Sequence, residues 1–204
     1  MQIELIVGAI GGIAITWIFI KREKNRKKSR GDLLTNTIVR DTIIPLRKKI
    51  RLFYNIIIDQ IEIKKPEYEL EKYDKLQSIW EQIRDWKSRI YPLLTVSGDI
   101  LNTEQHILLG KILDILETDF RLHKDILHFK VHVLNLERLL TEYLKMNKDS
   151  VMKIYVEAKK SYKKRLLEIS EIKDEEDAVW ASTSSQNSMR AFERDIADII
   201  KDKN

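Results

Sequence analysis

Residues 3–20 read IELIVGAIGGIAITWIFI, and the next ten, KREKNRKKSR, carry seven bases against one acid. No charged residue lies between Leu5 and Ile20, and Ile3 extends the run across Glu4. A membrane helix needs about 17–25 mostly apolar residues, and a buried core helix of this length normally keeps a polar face. The run therefore predicts a single-pass transmembrane anchor over residues 1–20. Trp17 falls one turn before Lys21, where an amphipathic ring sits at headgroup level. A cleaved secretory signal fits less well. It needs bases before the apolar core and a small-residue cleavage site after it, and the chain has MQIE before and IFIKREK after.

Lys21, Arg22, Lys24, Arg26, Lys27, Lys28 and Arg30 fix the expected topology, because bases flanking a span stay in the cytoplasm. The N-terminus is expected outside and the C-terminal body in the cytoplasm. The segment 21–31 is read as a polybasic juxtamembrane stretch able to meet anionic lipid headgroups of the bilayer. Gly8 and Gly12 form a G-x-x-x-G pair, a spacing that lets membrane helices associate closely.

The chain of 204 residues has a net charge of +5. Residues 1–30 hold seven bases and two acids, leaving 30 bases and 30 acids in residues 31–204. The body is neutral, and a nucleic-acid partner, which calls for a basic face on the folded part, is not expected. No cysteine is present, which excludes disulfides, thiolate metal sites and a cysteine nucleophile. Six glycines and three prolines suit long helices better than a β-rich fold.

Apolar residues of the body recur at alternating steps of three and four, the mark of helices packed in coiled-coil fashion. Val39, Ile43, Leu46, Ile50, Phe53, Ile57 and Ile61 form the first stripe, with Asp32 as N-cap and a kink near Ile44 caused by Pro45. Tyr73, Leu76, Trp80, Ile83 and Ile90 form a second, closed by Pro92. A third runs from Leu108 to Tyr143 and reads as one continuous helix over 103–146, with a break near Thr118-Asp119 as the alternative. Val151, Tyr155, Ala158, Tyr162, Ile169 and Ile172 form a fourth after a turn at 146–149. The serine-rich run 182–188 reads as a linker, and 189–204 as a short amphipathic helix. The expected fold is all-α: an N-terminal transmembrane helix, a cytosolic and mainly antiparallel bundle of four long helices over 32–181, and the C-terminal helix.

No recognisable chemistry emerges from the motifs. His128 and His132 lie one helical turn apart with Asp125 on their face, a weak metal-ligand pattern, but HFKVH lacks the glutamate of a metalloprotease helix. No E-x-x-H pair of a di-metal bundle occurs, and no phosphate-binding glycine loop or nucleophile elbow is present. Asp119 and Arg165 occupy slots of the apolar stripes and could pair to fix helix register. Trp180, beside the linker, either ends the fourth helix or anchors a partner. Met189, Phe192, Ile196 and Ile199 form an apolar face that could fold back or fill a groove. No cofactor and no catalytic residue is expected. The leading expectation is a non-catalytic scaffold or assembly subunit, held to the membrane and binding a protein partner or itself. The alternatives are a membrane-disrupting effector whose spans associate when the bundle oligomerises, and a helical-bundle metal enzyme.

Overall fold

A computed structural model describes residues 2–62, 69–96, 100–118 and 126–200, and the side chains of these except 2–19, 59–62, 69–73, 96 and 126–129. Every regular element among the described residues is helical. Helix α1 spans Gln2–Ile38 and passes through a π-helical turn, Val39–Ile43, into α2, Ile44–Glu62. Then follow α3 (Glu69–Arg84), α4 (Lys87–Val96), α5 (Thr103–Glu117), α6 (Ile126–Met146), α7 (Lys148–Ser170) and α8 (Glu175–Ile200).

The π turn explains how the chain accommodates Pro45. Proline has no N–H for the carbonyl four residues back, and its ring crowds that carbonyl. The helix widens just before it, with the Ile44 N–H bonding the Val39 carbonyl five residues back. The kink expected near Ile44 thus takes the form of a π turn. Asp32, expected as an N-cap, lies inside α1, which runs through residues 21–31 without interruption. Gly31 lets the helix pass close to the Ile100 carbonyl, which a Cβ there would approach to 3.2 Å.

The core forms around α2 and α6, which pack closely against each other. The first stripe is buried from Val39 through Ile57. Leu76, Trp80, Ile83 and Ile90 join it from α3 and α4, and Leu108, Leu109, Ile112 and Leu116 from α5. Val133, Leu136, Leu140, Tyr143 and Leu144 line it from α6. Phe53 and Trp80 stack at a tilt, ring centroids 6.1 Å apart.

Three boundaries differ from those the periodicity predicts. The helix expected over 103–146 is broken: α5 stops at Glu117 and Thr118 is extended, with φ −60° and ψ 125°. Donors from α3 satisfy the orphan carbonyls of this C-terminus. Arg84 donates to Leu116 O (3.2 Å) and Glu117 O (3.4 Å), and Trp80 Nε1 donates to Thr118 O (3.4 Å). Pro92 lies inside α4 rather than closing the preceding helix, and the interruption comes earlier, at the Asp85-Trp86 turn.

The run 182–188 is not a linker: it lies inside α8. Ser188 Oγ returns a hydrogen bond to Ser184 O (2.9 Å) and Ser185 is buried against α7, so the small polar residues serve the helix instead of breaking it. The start of α8 is set by Asp174, whose carboxylate accepts from the Asp177 N–H (3.0 Å) ahead of the acidic first turn Glu175–Asp177.

Among the described residues no helix is long and apolar enough to cross a membrane. The side chains of the apolar run at 3–20, except Ile20, lie outside the described residues, and Gly8, Gly12 and Trp17 with them.

Candidate functional site

Three features of the body are built from residues distant in sequence. The first pins α8 to the core. Arg47 on α2 has only 2% of its side chain exposed, yet its guanidinium is fully engaged. It donates to Glu137 Oε1 on α6 (3.2 Å), to the Asp195 carbonyl (2.7 Å) and, with both terminal nitrogens, to the Asp198 carboxylate on α8. Arg51, one turn on, reaches Glu137 and Asp198 at 3.2 Å each from a more exposed position. Thr141 Oγ1 donates to the Glu137 carbonyl (2.8 Å) and lies 3.2 Å from Glu137 Oε1. Burial opposes ionisation of Asp198, but the hydrogen bonds and charges of Arg47 and Arg51 outweigh it and hold the carboxyl below the usual carboxylate range.

The second feature is a buried amide relay. Gln105 and Asn102 form a capping box at the start of α5, with Gln105 N to Asn102 Oδ1 at 2.8 Å and Asn102 N to Gln105 Oε1 at 3.0 Å. The Gln105 amide then donates to Asn147 Oδ1, and Asn147 Nδ2 donates to Tyr143 O (2.7 Å). The relay ties α5 to the one-residue turn between α6 and α7. The Tyr143 hydroxyl is buried without a hydrogen-bond partner among the described residues, and burial pushes the phenol well above its ordinary range.

The third is the α7–α8 hairpin. Tyr155 OH donates to Glu193 Oε1 (3.0 Å) near its base. Higher up, a groove of about 290 Å³ opens between the two helices, lined by Ala158, Tyr162, Arg165, Ser185, Met189 and Phe192 among others. The Ser185 hydroxyl is buried beneath it with no partner among the described residues. Toward the tip, Leu167, Val179 and Trp180 are exposed by 68%, 61% and 74%.

The structure sorts the residues singled out in the sequence. Lys21, Arg22, Lys24, Arg26, Lys27, Lys28 and Arg30 are exposed, and Arg22, Arg26, Lys27 and Arg30 share one face of α1. Met189, Ile196 and Ile199 are buried and Phe192 packs against the core, so this face folds back on the bundle, with Met189 and Phe192 also bordering the α7–α8 groove. Trp180 does not end the fourth helix: α7 ends at Ser170, and Trp180 stands on the outside of α8. Arg165 is exposed at the groove, while Asp119, its expected partner, lies outside the described residues. Asp125 and the His128 side chain also lie outside them, and His132 is half-buried on α6. Among the described residues no three metal-ligating side chains cluster.

The Arg47 cluster was not legible in the sequence. Arg47, Glu137 and Asp198 lie on three helices, and nothing local distinguishes them from surface charges. No protein-family model, curated protein or solved structure matches this chain.

Proposed function

We propose that this chain is a membrane-anchored, non-catalytic assembly subunit whose helical body stands on the cytoplasmic side and binds protein. The observation that carries this reading is the junction at Lys21, where an uncharged run of membrane-spanning length meets seven bases. Residues 3–20 cover roughly 27 Å as a helix, close to the hydrocarbon thickness of a bilayer. The backbone of α1 continues from this run through the basic segment to Ile38 without a break. Leu34, Thr35 and Ile38 of the same helix then pack into the body. A single helix would thus couple anchor and bundle rigidly, with the bases at the headgroups. An assembly role is supported by the exposed apolar residues of the α7–α8 hairpin and by the body's neutrality, which favours protein over nucleic acid.

The test is extraction of membranes from cells expressing the full chain. Alkaline carbonate should leave the protein in the pellet and detergent should release it, whereas a chain lacking residues 1–20 should appear in the soluble fraction. Release of the full chain by carbonate alone contradicts the proposal.

A further inference from the structure

We propose that two copies of this chain pair through their α7–α8 hairpins, Trp180 of each seating in the groove of the other. This rests on the assembly role proposed above and names its partner as a second copy.

The knob and the hole are both exposed by one hairpin, and the hole is large enough to admit a side chain. Trp180 is 74% exposed, a costly position for the largest side chain. The groove beside Tyr162, Met189 and Phe192 offers about 290 Å³, far more than the roughly 30 Å³ of one water. An indole carries one N–H that needs an acceptor when buried. The groove lining offers such acceptors in the exposed hydroxyls of Ser161 and Ser188.

Charge selects a second copy as the occupant. Residues 158–167 carry Lys159, Lys160, Lys163, Lys164 and Arg165 with no acid, a net of +5. Residues 168–177 carry Glu168, Glu171, Asp174, Glu175, Glu176 and Asp177 against Lys173, a net of −5. The basic block flanks the groove and the acidic block adjoins Trp180. Antiparallel pairing about a two-fold axis lays each acidic block on the partner's basic block. It makes two equivalent Trp180 contacts, as an isologous interface requires.

Helix spacing places the axis. Asp177, Trp180, Ser184 and Ser188 follow steps of three and four on one side of α8. Ser184 lies midway between Trp180 and the groove residue Ser188, and its small side chain lets the helices approach. The two Ser184 residues of a pair should meet near the axis. The two Glu175 residues that open α8 should lie roughly 27 Å apart along it, at 1.5 Å per residue, with the Lys173 residues outside the helical contact.

The chain has no cysteine, so one introduced thiol reports one place. In purified full-length protein kept in mild detergent, mild oxidation should cross-link Ser184→Cys into a dimer and leave Lys173→Cys monomeric. Adding Trp180→Ala to Ser184→Cys should cut dimer yield about tenfold with helicity unchanged, as loss of a central aromatic anchor does. The cross-link should persist in a Gly8→Leu/Gly12→Leu background, which removes close pairing of the apolar runs. The proposal is overturned by an absent Ser184→Cys dimer, by a yield indifferent to Trp180→Ala, or by loss of the cross-link in the glycine variants. Failure of the membrane assignment would appear in carbonate extraction and not in this cross-link, so the two remain distinguishable.

Discussion

Arg47 and Asp198, 151 positions apart, meet through a two-pronged ion pair that fastens the last helix to the first helix of the core. The guanidinium is buried and the carboxylate half-exposed, with Glu137 as a second acceptor. Five donors in a rigid fork can serve carboxylates and a backbone carbonyl together, which an ammonium cannot do.

Arg47→Ala should therefore lower stability by about 2 kcal/mol, because it leaves the Asp195 carbonyl and the partly exposed Glu137 and Asp198 carboxylates without the buried cation they share. Arg51→Ala, which removes a more exposed arginine from the same carboxylates, should cost less than about 1 kcal/mol. Thermal melts of the two variants, followed by circular dichroism in detergent, check the difference. Equal losses would contradict the role assigned to burial.

Acid should loosen α8. The carboxyl of Asp198 is held below its ordinary value. Its contribution is then fully present above the unfolded pKa of about 3.9 and disappears as pH falls through the folded value. Hydrogen exchange over residues 189–199 should rise, relative to α5, as pH drops below about 4, after correction for the intrinsic exchange rate. Asp198→Asn should show the raised exchange already at neutral pH and little further response to acid.

The Tyr143 hydroxyl lies in the core without a partner among the described residues. Removing an unsatisfied buried polar atom relieves its desolvation cost. Tyr143→Phe should be neutral or stabilising by up to about 1 kcal/mol, unlike most core substitutions. A melting temperature well below that of the parent would show that the hydroxyl has a bonded partner.

Gln105 and Asn147 should behave as one unit, since each amide is the other's buried partner. Either alanine replacement alone should cost about 1–3 kcal/mol, and the double variant less than the sum, with a coupling of about 1 kcal/mol in a double-mutant cycle. Additive losses would place the two amides in separate environments.

Much of the helical framework was legible because burial follows the three-four periodicity. Val39, Ile43, Leu46, Ile50, Phe53 and Ile57 stand where their spacing puts them. The break after Glu117 stood only as the alternative to a continuous helix, because the donors that satisfy it, Arg84 and Trp80, come from another helix. The Ser182–Ser188 run misled for the opposite reason: serine-rich composition marks a linker only when nothing packs against it, and α7 does. Asp174 followed by three acidic residues carried a readable helix start, and it contradicts the linker reading from upstream. Arg47 was hidden by its neighbours, since a charge beside an apolar stripe is ordinarily a solvated flank.

The central claim, a body held on the inner side of a membrane by residues 3–20, is tested most directly by thiol accessibility in cells. With Lys173→Cys as the single cysteine, a membrane-impermeant maleimide should leave intact cells unlabelled and label the protein fully once the membrane is permeabilised. Labelling of intact cells to the same extent would put the body on the outer side and contradict the account.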